Sequence, residues 1–266
     1  MKTTYKDLKF ELKDGLGILT LNIPEKLNAC GKRTRSELHS FWSAMQAEDR
    51  CRVIIMTGAG TSFCAGQDVE EMDDPAHPFY KWSVDEIYAF QHEMSDVILL
   101  MRRAPQPIIA AVRGYAAGGG FSMAVAADLR VADPTAKFVA SYINIGLSGA
   151  DMGSSYHFPR QVTLALALEY LYTGDAIDAK TAREIGLVNH VVPAGKLMTR
   201  AKEIAGKMLA KSPLGLKLTK EVANQNIGSA SLESALYMED RNQVLCLAAG
   251  PIRNPLRGKK KTKGSR

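Results

Sequence analysis

The sequence predicts an α/β fold followed by a helical C-terminal part, and three observations lead to that prediction. Short apolar runs that suit buried strands alternate with segments of helical periodicity over roughly the first 160 residues. Glycines directly follow two of these runs, as in the loops at the ligand-binding edge of a parallel sheet. Beyond that point the periodicity is mostly helical. A chain of 266 residues suits one large domain with an appendage.

The first quarter of the chain is predicted to run strand, strand, helix, strand. Residues 8–13 and 17–21 flank Asp14-Gly15, a dipeptide typical of a tight hairpin turn. Apolar side chains then recur at helical spacing over residues 34–48, which predicts an amphipathic helix. Residues 52–56 form a short apolar run that ends in a glycine-containing loop, so we expect a buried strand there.

The same alternation continues through the middle of the chain. Helical periodicity over residues 85–102 precedes a second buried strand at 107–112. A glycine-rich segment and the small residues 122–127 follow, and the small residues suit a tightly packed helix. Residues 129–132 and 137–140 are predicted to form two further short strands.

The C-terminal third is predicted to be mostly helical. Its predicted helices cover residues 162–172, 178–186, 194–211, 213–227 and 231–248. We therefore divide the chain into an α/β core (1–195), a helical region (196–250) and a basic tail (251–266).

The net charge of +6 is largely a property of that tail. Residues 251–266 contain seven basic residues and no acidic ones, and the rest of the chain carries 27 basic and 28 acidic residues. We expect a solvated, disordered tail. A nucleic-acid-binding arm is the minority alternative, so nucleic acid is not an expected partner.

Several classes of protein and site are excluded by composition. No apolar stretch approaches the roughly 20 residues that span a bilayer, so no membrane partner is expected. The N-terminus lacks the apolar core of a secretory signal, which favours a cytoplasmic location. The four cysteines have neither CxxC pairing nor metal-ligand spacing, so we expect reduced thiols and no metal site.

Two glycine-containing loops are the best candidates for chemistry. The first, TGAGTSFCAGQD at residues 57–68, is not a dinucleotide fingerprint because Phe63 occupies the place of its third glycine. The second, GYAAGGG at 114–120, stands directly before a helix. Glycines there leave N–H groups free to point at a ligand, and the helix dipole favours negative charge. Taken alone, either segment could equally be a connecting loop.

In their order and spacing these loops resemble the crotonase (enoyl-CoA hydratase/isomerase) superfamily, over residues 5–250. NIPEKLNA at residues 22–29 resembles the family segment that wraps coenzyme A. Residues 62–72 and 110–120 resemble its first and second oxyanion loops. The resemblance implies a ClpP/crotonase-like fold, a spiral of ββα units with a C-terminal helical trimerisation region. A homotrimer or a hexamer, as a dimer of trimers, is the implied assembly.

The resemblance also implies how the substrate is held. The backbone N–H groups of Gln67 and Gly119 correspond to the two oxyanion donors, which stabilise the enolate of an acyl-CoA thioester. One such donor contributes roughly 3–4 kcal/mol. Lys26 could contact a phosphate of coenzyme A or be an ordinary surface lysine. The expected substrate-binding residues are Lys26, Leu27, Ala65, Gly66, Asp68, Gly118, Ser122 and Tyr142.

The sequence departs from the family at the two glutamates that act in hydratases. Their positions correspond to Ser122 and Tyr142, and neither side chain can do carboxylate chemistry. Asp151 is the best substitute as acid/base, because an acidic residue from this loop reaches the acyl chain in family isomerases. Alternatively, Asp151 caps a helix beginning near Met152. Tyr142 could orient Asp151 or the substrate, or form an aromatic pocket wall.

A variable pocket lid is expected over residues 72–82. Within it, His77 could add an acid/base group or be an exposed loop histidine.

The sequence thus favours an enoyl-CoA hydratase/isomerase-type enzyme of fatty acid metabolism. Its substrate would be an unsaturated acyl-CoA, and no cofactor is expected, since coenzyme A is part of the substrate. The alternative is a catalytically weak or inactive acyl-CoA-binding protein, suggested by the missing glutamates. A nucleic-acid-binding function would rest on the basic tail alone.

Overall fold

The computed structural model describes residues 5–72, 81–229 and 231–249. The strands are β1 Leu8–Lys13, β2 Leu16–Leu21, β3 Val53–Gly58, β4 Ile108–Val112, β5 Tyr115–Ala117, β6 Leu129–Ala132, β7 Lys137–Val139, β8 Ile177–Asp178 and β9 His190–Val191. The helices are α1 Lys32–Met45, α2 Val69–Met72, α3 Val84–Arg103, α4 Gly119–Ala126, α5 Ser154–His157, α6 Leu164–Thr173, α7 Ala179–Glu184, α8 Leu197–Leu209, α9 Pro213–Asn226 and α10 Leu232–Ala248.

The strands form two sheets. The larger sheet has the order β1-β2-β3-β4-β6-β9, and all of its neighbouring pairs are parallel except the antiparallel hairpin of β1 and β2. The smaller sheet has the order β5-β7-β8, in which β5 and β7 are parallel and β8 is antiparallel to β7. Alternating strands and helices with a mostly parallel sheet confirm the predicted α/β class.

Alternate side chains of the central strands pack on opposite faces of the larger sheet. Val53 and Ile55 of β3 and Ile109 of β4 pack against Leu197 and Ala201 of α8. The even-numbered side chains of the same strands belong to a larger core, which includes the apolar faces of α1 and α3. Because both faces are covered, β3 and β4 are buried throughout and read as continuous apolar runs.

The predicted elements agree with the structure except where they are very short. The hairpin, the buried strands and the long helices lie within a few residues of their predicted positions. Strands β5, β8 and β9 have two or three residues each and were not predicted. Helix α4 begins at Gly119, three residues before its predicted start at residue 122, because the glycines themselves form its first turn.

The chain divides into two compact units, one ending at Lys217 and the other beginning at Leu218 within α9. Helix α8 packs on the sheet of the first unit, although the sequence assigned it to the helical region 196–250. In the second unit, Asn242 of α10 donates to the Leu218 carbonyl of α9 at 3.2 Å. The predicted tail at 251–266 and His77 of the predicted lid lie outside the described residues. Within the described ranges, no helix has the length and apolar composition of a membrane span.

Candidate active site

The first glycine loop is held beside the smaller sheet by backbone pairing. Cys64 N–H donates to the Tyr115 carbonyl at 2.9 Å, and Ala117 N–H donates back to the Cys64 carbonyl at 2.9 Å. The loop therefore runs parallel to β5, the strand that leads into the second glycine segment. This pairing between distant segments brings the two candidate loops together.

Gln67 lies at a second bridge of the same kind. Cys30 N–H donates to the Gly66 carbonyl at 2.7 Å, and Asp68 N–H donates to the Cys30 carbonyl at 3.3 Å. Cys30 thus pairs with the residues on either side of Gln67, which leaves the Gln67 N–H on the opposite side of the backbone. None of the described residues accepts a hydrogen bond from it.

The Gly119 N–H is the corresponding group in the second loop. Gly119 is the first residue of α4, and the first N–H groups of a helix have no intrahelical acceptor. Gly118 N–H donates instead to the Val139 carbonyl at 2.9 Å, which holds the start of α4 against β7. In the described part of the chain, the Gly119 N–H likewise has no acceptor.

Glycine is required where the two loops touch. Gly66 has φ +101°, and a Cβ atom there would lie 2.9 Å from the Ala117 carbonyl oxygen. Gly118 has φ +49°, and its Cβ would lie 3.8 Å from the Gly66 Cα. The backbones therefore approach each other directly, in conformations that L side chains rarely adopt.

A cavity of about 180 Å³ lies over this junction. Its lining includes seven of the predicted site residues, namely Ala65, Gly66, Gln67, Gly118, Gly119, Tyr142 and Asp151. Apolar side chains from α2, α3 and the loop after β7 line it as well, namely Val69, Phe90, Met94, Ile145 and Leu147. Gln91, Ser141 and Asn144 complete the lining. Lys26, Leu27, Asp68 and Ser122 do not line it.

Asp151 is the one carboxylate among the described residues that line this cavity. Its Oδ1 accepts from Gln91 Nε2 at 2.5 Å and from the Met152 N–H at 2.6 Å. The helix that follows is α5, whose N-cap is Gly153, with no side-chain capping bond. The Asp151 side chain therefore lies in the cavity wall rather than on the first turn of α5.

Ser122 and Tyr142 form a short hydrogen-bonded chain behind that wall. The Ser122 hydroxyl donates to the Asp151 carbonyl at 2.9 Å, and its oxygen lies 2.7 Å from the Tyr142 hydroxyl. Because a serine has one hydroxyl proton and the carbonyl can only accept, the Tyr142 O–H must donate to Ser122. Burial raises the pKa of Tyr142, so its hydroxyl stays protonated. Both side chains thus support the main chain at Asp151.

Lys26 is engaged by acidic neighbours. Its Nζ lies 2.8 Å from Asp68 Oδ2 and 2.9 Å from Glu70 Oε2. Hydrogen bonds to these two carboxylates raise the pKa of Lys26, so it stays charged, and its charge is already balanced. A phosphate would have to compete with both carboxylates for this lysine.

Leu27 and Asn28 anchor the segment that follows Lys26. The Leu27 carbonyl accepts from the Ala65 N–H at 3.0 Å, so Leu27 contributes through its backbone. The fully buried Asn28 amide donates to the carbonyls of Ala59 and Ser62 at 2.9 and 2.8 Å. This clamp joins the NIPEKLNA segment to the first glycine loop.

Arg35 is a site residue that the sequence analysis did not identify. Its side chain, 5% exposed, bonds to Glu71 at 2.8 Å and to Glu93 at 3.4 Å, and its guanidinium lies 4.6 Å from the centre of the Phe90 ring. Nη1 also donates to the Gln67 side-chain oxygen at 3.3 Å. Its sequence position did contain a signal, because residue 35 falls on the same helical face as the buried residues 38, 42 and 45.

The described residues contain no cluster of three or more His, Cys, Asp or Glu side chains suited to a metal ion. The residues that line the cavity include Gln67 and Gly119, whose backbone N–H groups have no acceptor among the described residues, and one residue with a carboxylate, Asp151. Such a set can stabilise negative charge on an oxygen and move a proton nearby.

Comparison with known proteins identifies the family. Residues 11–257 match the family model described as Enoyl-CoA hydratase/isomerase. A Mycobacterium tuberculosis protein named "Probable enoyl-CoA hydratase" is 36% identical over 232 residues, which are 85% of this chain and 79% of that protein. The chain therefore belongs to the enoyl-CoA hydratase/isomerase family, an enzyme family of the crotonase superfamily.

Solved structures with this fold include proteins named as enoyl-CoA hydratases and a protein named as an enoyl-CoA isomerase. An enoyl-CoA hydratase from Bacillus anthracis superposes with a TM-score of 0.86 at 27% identity, covering 95% of this chain and 94% of that one. A monofunctional enoyl-CoA isomerase from Mycobacterium smegmatis superposes with a TM-score of 0.72 at 32% identity, covering 86% and 98%. The predicted crotonase fold is confirmed.

Proposed function

We propose that this protein catalyses proton transfer on an unsaturated acyl-CoA thioester, with Asp151 as the acid/base. The observation that carries the proposal is the composition of the cavity. Its described lining holds a single carboxylate, together with Gln67 and Gly119, the two residues whose N–H groups have no acceptor in the part of the chain that the structure describes.

The proposed role of the two N–H groups follows from the charge that the reaction creates. Removing a proton next to a thioester carbonyl, or adding a nucleophile to the conjugated double bond, places negative charge on the carbonyl oxygen. Two preorganised donors stabilise that charge, and each can contribute roughly 3–4 kcal/mol in a water-poor site. Both donors belong to backbone that is held by pairing with neighbouring segments, so little reorganisation is needed.

One carboxylate suffices for double-bond isomerisation, which is the reaction we favour. Asp151 would remove a proton from one carbon of the acyl chain and return it to another, while the enolate is held at the two N–H groups. The Asp151 carboxylate is then deprotonated at the end of the cycle, as it was at the start. The likeness to a monofunctional enoyl-CoA isomerase at 32% identity supports this choice.

Hydration is the second candidate, favoured by the hydratase names of similar proteins. It requires a water molecule to be activated and a carbon to be protonated, and Asp151 would have to serve both steps. The Tyr142 and Ser122 hydroxyls would offer little help, since each already donates a hydrogen bond within the wall. We therefore rank hydration below isomerisation.

The proposal extends to the assembly and location of the protein. A homotrimer or a dimer of trimers in the cytoplasm, using coenzyme A only as part of the substrate, fits the family resemblance. Large apolar side chains of α10 that are exposed in the single chain are candidates for subunit contacts, namely Leu232, Leu236, Tyr237 and Val244. Light scattering of the purified protein would measure the assembly directly.

The test is a panel of 2-enoyl and 3-enoyl thioesters of coenzyme A, incubated with the enzyme in deuterated water. Isomerisation should convert one ester into the other with no water added, and deuterium should enter only in turnovers in which the Asp151 proton exchanges with solvent before it is returned. Hydration should instead add one molecule of deuterated water to the double bond. Asp151→Asn should lower kcat at least about a hundredfold, because it removes the acid/base group. Asp14→Asn, which changes an exposed hairpin carboxylate, is the matched control and should have no effect.

Two results would count against the proposal. Unchanged turnover in Asp151→Asn would remove Asp151 from the mechanism. Tight binding of acyl-CoA with no turnover of any ester would instead support the non-catalytic binding protein.

A further inference from the structure

Gln91 contacts the proposed acid/base from a helix that the sequence did not connect with it. Gln91 lies on α3, lines the cavity, and donates from Nε2 to Asp151 Oδ1 at 2.5 Å across 60 residues of sequence. The Met152 N–H donates to the same oxygen at 2.6 Å. In the described part of the molecule, no donor reaches Asp151 Oδ2.

We propose that Gln91 is a positioning residue, which orients the Asp151 carboxylate so that Oδ2 is the oxygen that exchanges protons with the substrate. This inference rests on the proposed function of Asp151. It adds which of the two Asp151 oxygens exchanges protons with the substrate, and it names Gln91 as the residue that keeps the carboxylate in that orientation.

The two oxygens of a free carboxylate exchange places by rotation about the Cβ–Cγ bond. Here one oxygen, Oδ1, accepts two hydrogen bonds, one from a side chain and one from the backbone, and any rotation short of a half-turn, which only interchanges the two equivalent oxygens, would break both. Because hydrogen bonds to a charged acceptor are the stronger kind, the carboxylate is held in one orientation. Oδ2 keeps its lone pairs available for a proton.

The main chain at Asp151 is held independently of Gln91. Its carbonyl accepts from Ser122 of α4 at 2.9 Å, and its N–H donates to Ser154 Oγ of α5 at 3.1 Å. Gln91 is thus the one side chain in the described residues that bonds to the carboxylate itself. Removing it should leave the carboxylate with the Met152 N–H as its one remaining donor among the described residues, which holds its plane less firmly, while the loop stays in place.

Helix α3 gives Gln91 a defined position. Its neighbour Met94 is buried in the core, and the Phe90 ring stacks under the Arg35 guanidinium. A packed helix is a rigid support for a positioning residue. Such support matters because a misplaced catalytic group lowers the rate of the reaction even where substrate binding is intact.

The kinetic test compares Gln91→Leu with His92→Leu, which changes the adjacent exposed residue on the same helix. Gln91→Leu should lower kcat about tenfold or more, the loss expected for a hydrogen bond to a charged group, with KM changed less than about threefold. His92→Leu should leave both constants near those of the parent. A rise in KM with unchanged kcat would overturn the proposal, because it would make Gln91 a substrate-binding residue.

A double-mutant cycle separates this proposal from the proposed function. If Gln91 acts through Asp151, adding Gln91→Leu to Asp151→Asn should cause no further loss of kcat. A full additional loss would overturn the positioning role while leaving Asp151 as the acid/base. Activity retained in Asp151→Asn alone would overturn the proposed function, and with it this inference.

A second readout needs no turnover. In crystals of the protein, the plane of the Asp151 carboxylate should have one orientation in the parent and a rotated orientation, or more than one, in Gln91→Leu. The same single orientation in both proteins would overturn the proposal, whatever the substrate panel shows.

Discussion

The Nη1 atom of Arg35 lies 3.3 Å from Oε1 of Gln67, so a buried guanidinium on α1 holds the Gln67 side chain. The backbone N–H of this same Gln67 has no acceptor among the described residues. Arg35 Nη1 also bonds to Glu71 of α2 at 2.8 Å, and Gln67 Nε2 donates to Glu71 at 3.2 Å. These three side chains form a closed triangle beside the cavity. Its charged and polar members position the first glycine loop.

Arg35→Met should therefore weaken both stability and activity. The substitution leaves Glu71 and Glu93 without their cation, and breaking a buried pair costs about 3–5 kcal/mol. Because these glutamates are 30% and 36% exposed, we expect a smaller loss of about 2 kcal/mol in the free energy of unfolding. Urea denaturation measures it, and kcat/KM should fall with it.

The control is Lys9→Met, which breaks an ion pair with Glu11 whose two side chains are 62% and 61% exposed. Such pairs contribute about 0–1 kcal/mol, so this variant should unfold close to the parent. Equal losses in the two variants would show that the Arg35 network has no special role.

Gly66→Ala should lower kcat far more than it lowers stability. At φ +101°, the new Cβ would lie 2.9 Å from the Ala117 carbonyl oxygen, so the loop must shift where it touches the second glycine segment. A displacement of roughly 1 Å can cost about a hundredfold in rate. Steady-state kinetics with a turned-over enoyl-CoA ester would measure the effect.

Gly206→Ala is the control for that experiment. This glycine lies within α8 and has an ordinary helical φ, and a Cβ atom added there would meet nothing within 4 Å beyond its own helix backbone. Alanine there should raise stability by up to about 1 kcal/mol and leave kcat unchanged. Wild-type kcat in Gly66→Ala would refute the need for glycine at the junction.

Ser122→Ala should be more damaging than Tyr142→Phe. Removing the serine hydroxyl takes away one of the two donors to the Asp151 carbonyl, the other being the Ser154 N–H, and leaves the buried Tyr142 hydroxyl without an acceptor, whereas Tyr142→Phe removes only the end of the chain. We expect losses of about 2–3 kcal/mol and about 1 kcal/mol in the free energy of unfolding. Thermal unfolding of both variants provides the comparison, and the reverse order would contradict the assigned donor directions.

The stability of the protein should depend on pH through His157. Burial lowers the pKa of His157 to about 4 from 6.5, and the nearby arginines 102, 130 and 160 contribute in the same direction. The unfolded chain therefore binds this proton more readily than the folded one. The associated stability is fully present above about pH 6.5 and is lost as the pH falls toward 4.

Comparing the parent with His157→Gln isolates that contribution. The parent should lose about 1 kcal/mol more than the variant between pH 7 and pH 5, a figure reduced for the partial exposure of the ring. Urea unfolding at both pH values gives the difference. Parallel losses in the two proteins would show that His157 does not titrate in this way.

Much of the fold was predictable because its causes are local. The runs in β3 and β4 are apolar at nearly every position, since both faces of the sheet are covered, and the long helices bury a regular stripe. The two glycine loops were recognisable for the same reason, because Gly66 and Gly118 occupy backbone conformations that few other residues tolerate. The resemblance built on them led to the correct family.

Short elements and side-chain pairings were not predictable in this way. Strands β8 and β9 have two residues each, too few for any periodicity, and they exist because partners from elsewhere in the chain lie beside them. The sequence shows Arg35 as a charged residue on a buried helical face. It does not show that Glu71, Glu93 and Gln67 are the partners of Arg35.

The sequence by itself thus determined the order of the longer elements and the two glycine loops, since each depends on residues close together in the chain, and the family resemblance then singled out Asp151 as the acidic candidate. Tertiary structure alone decided that Gln91 contacts Asp151, that Ser122 supports its carbonyl and that Lys26 is paired with Asp68 and Glu70. These contacts join residues 29 to 60 positions apart, and packing of the helices and sheets determines such distances.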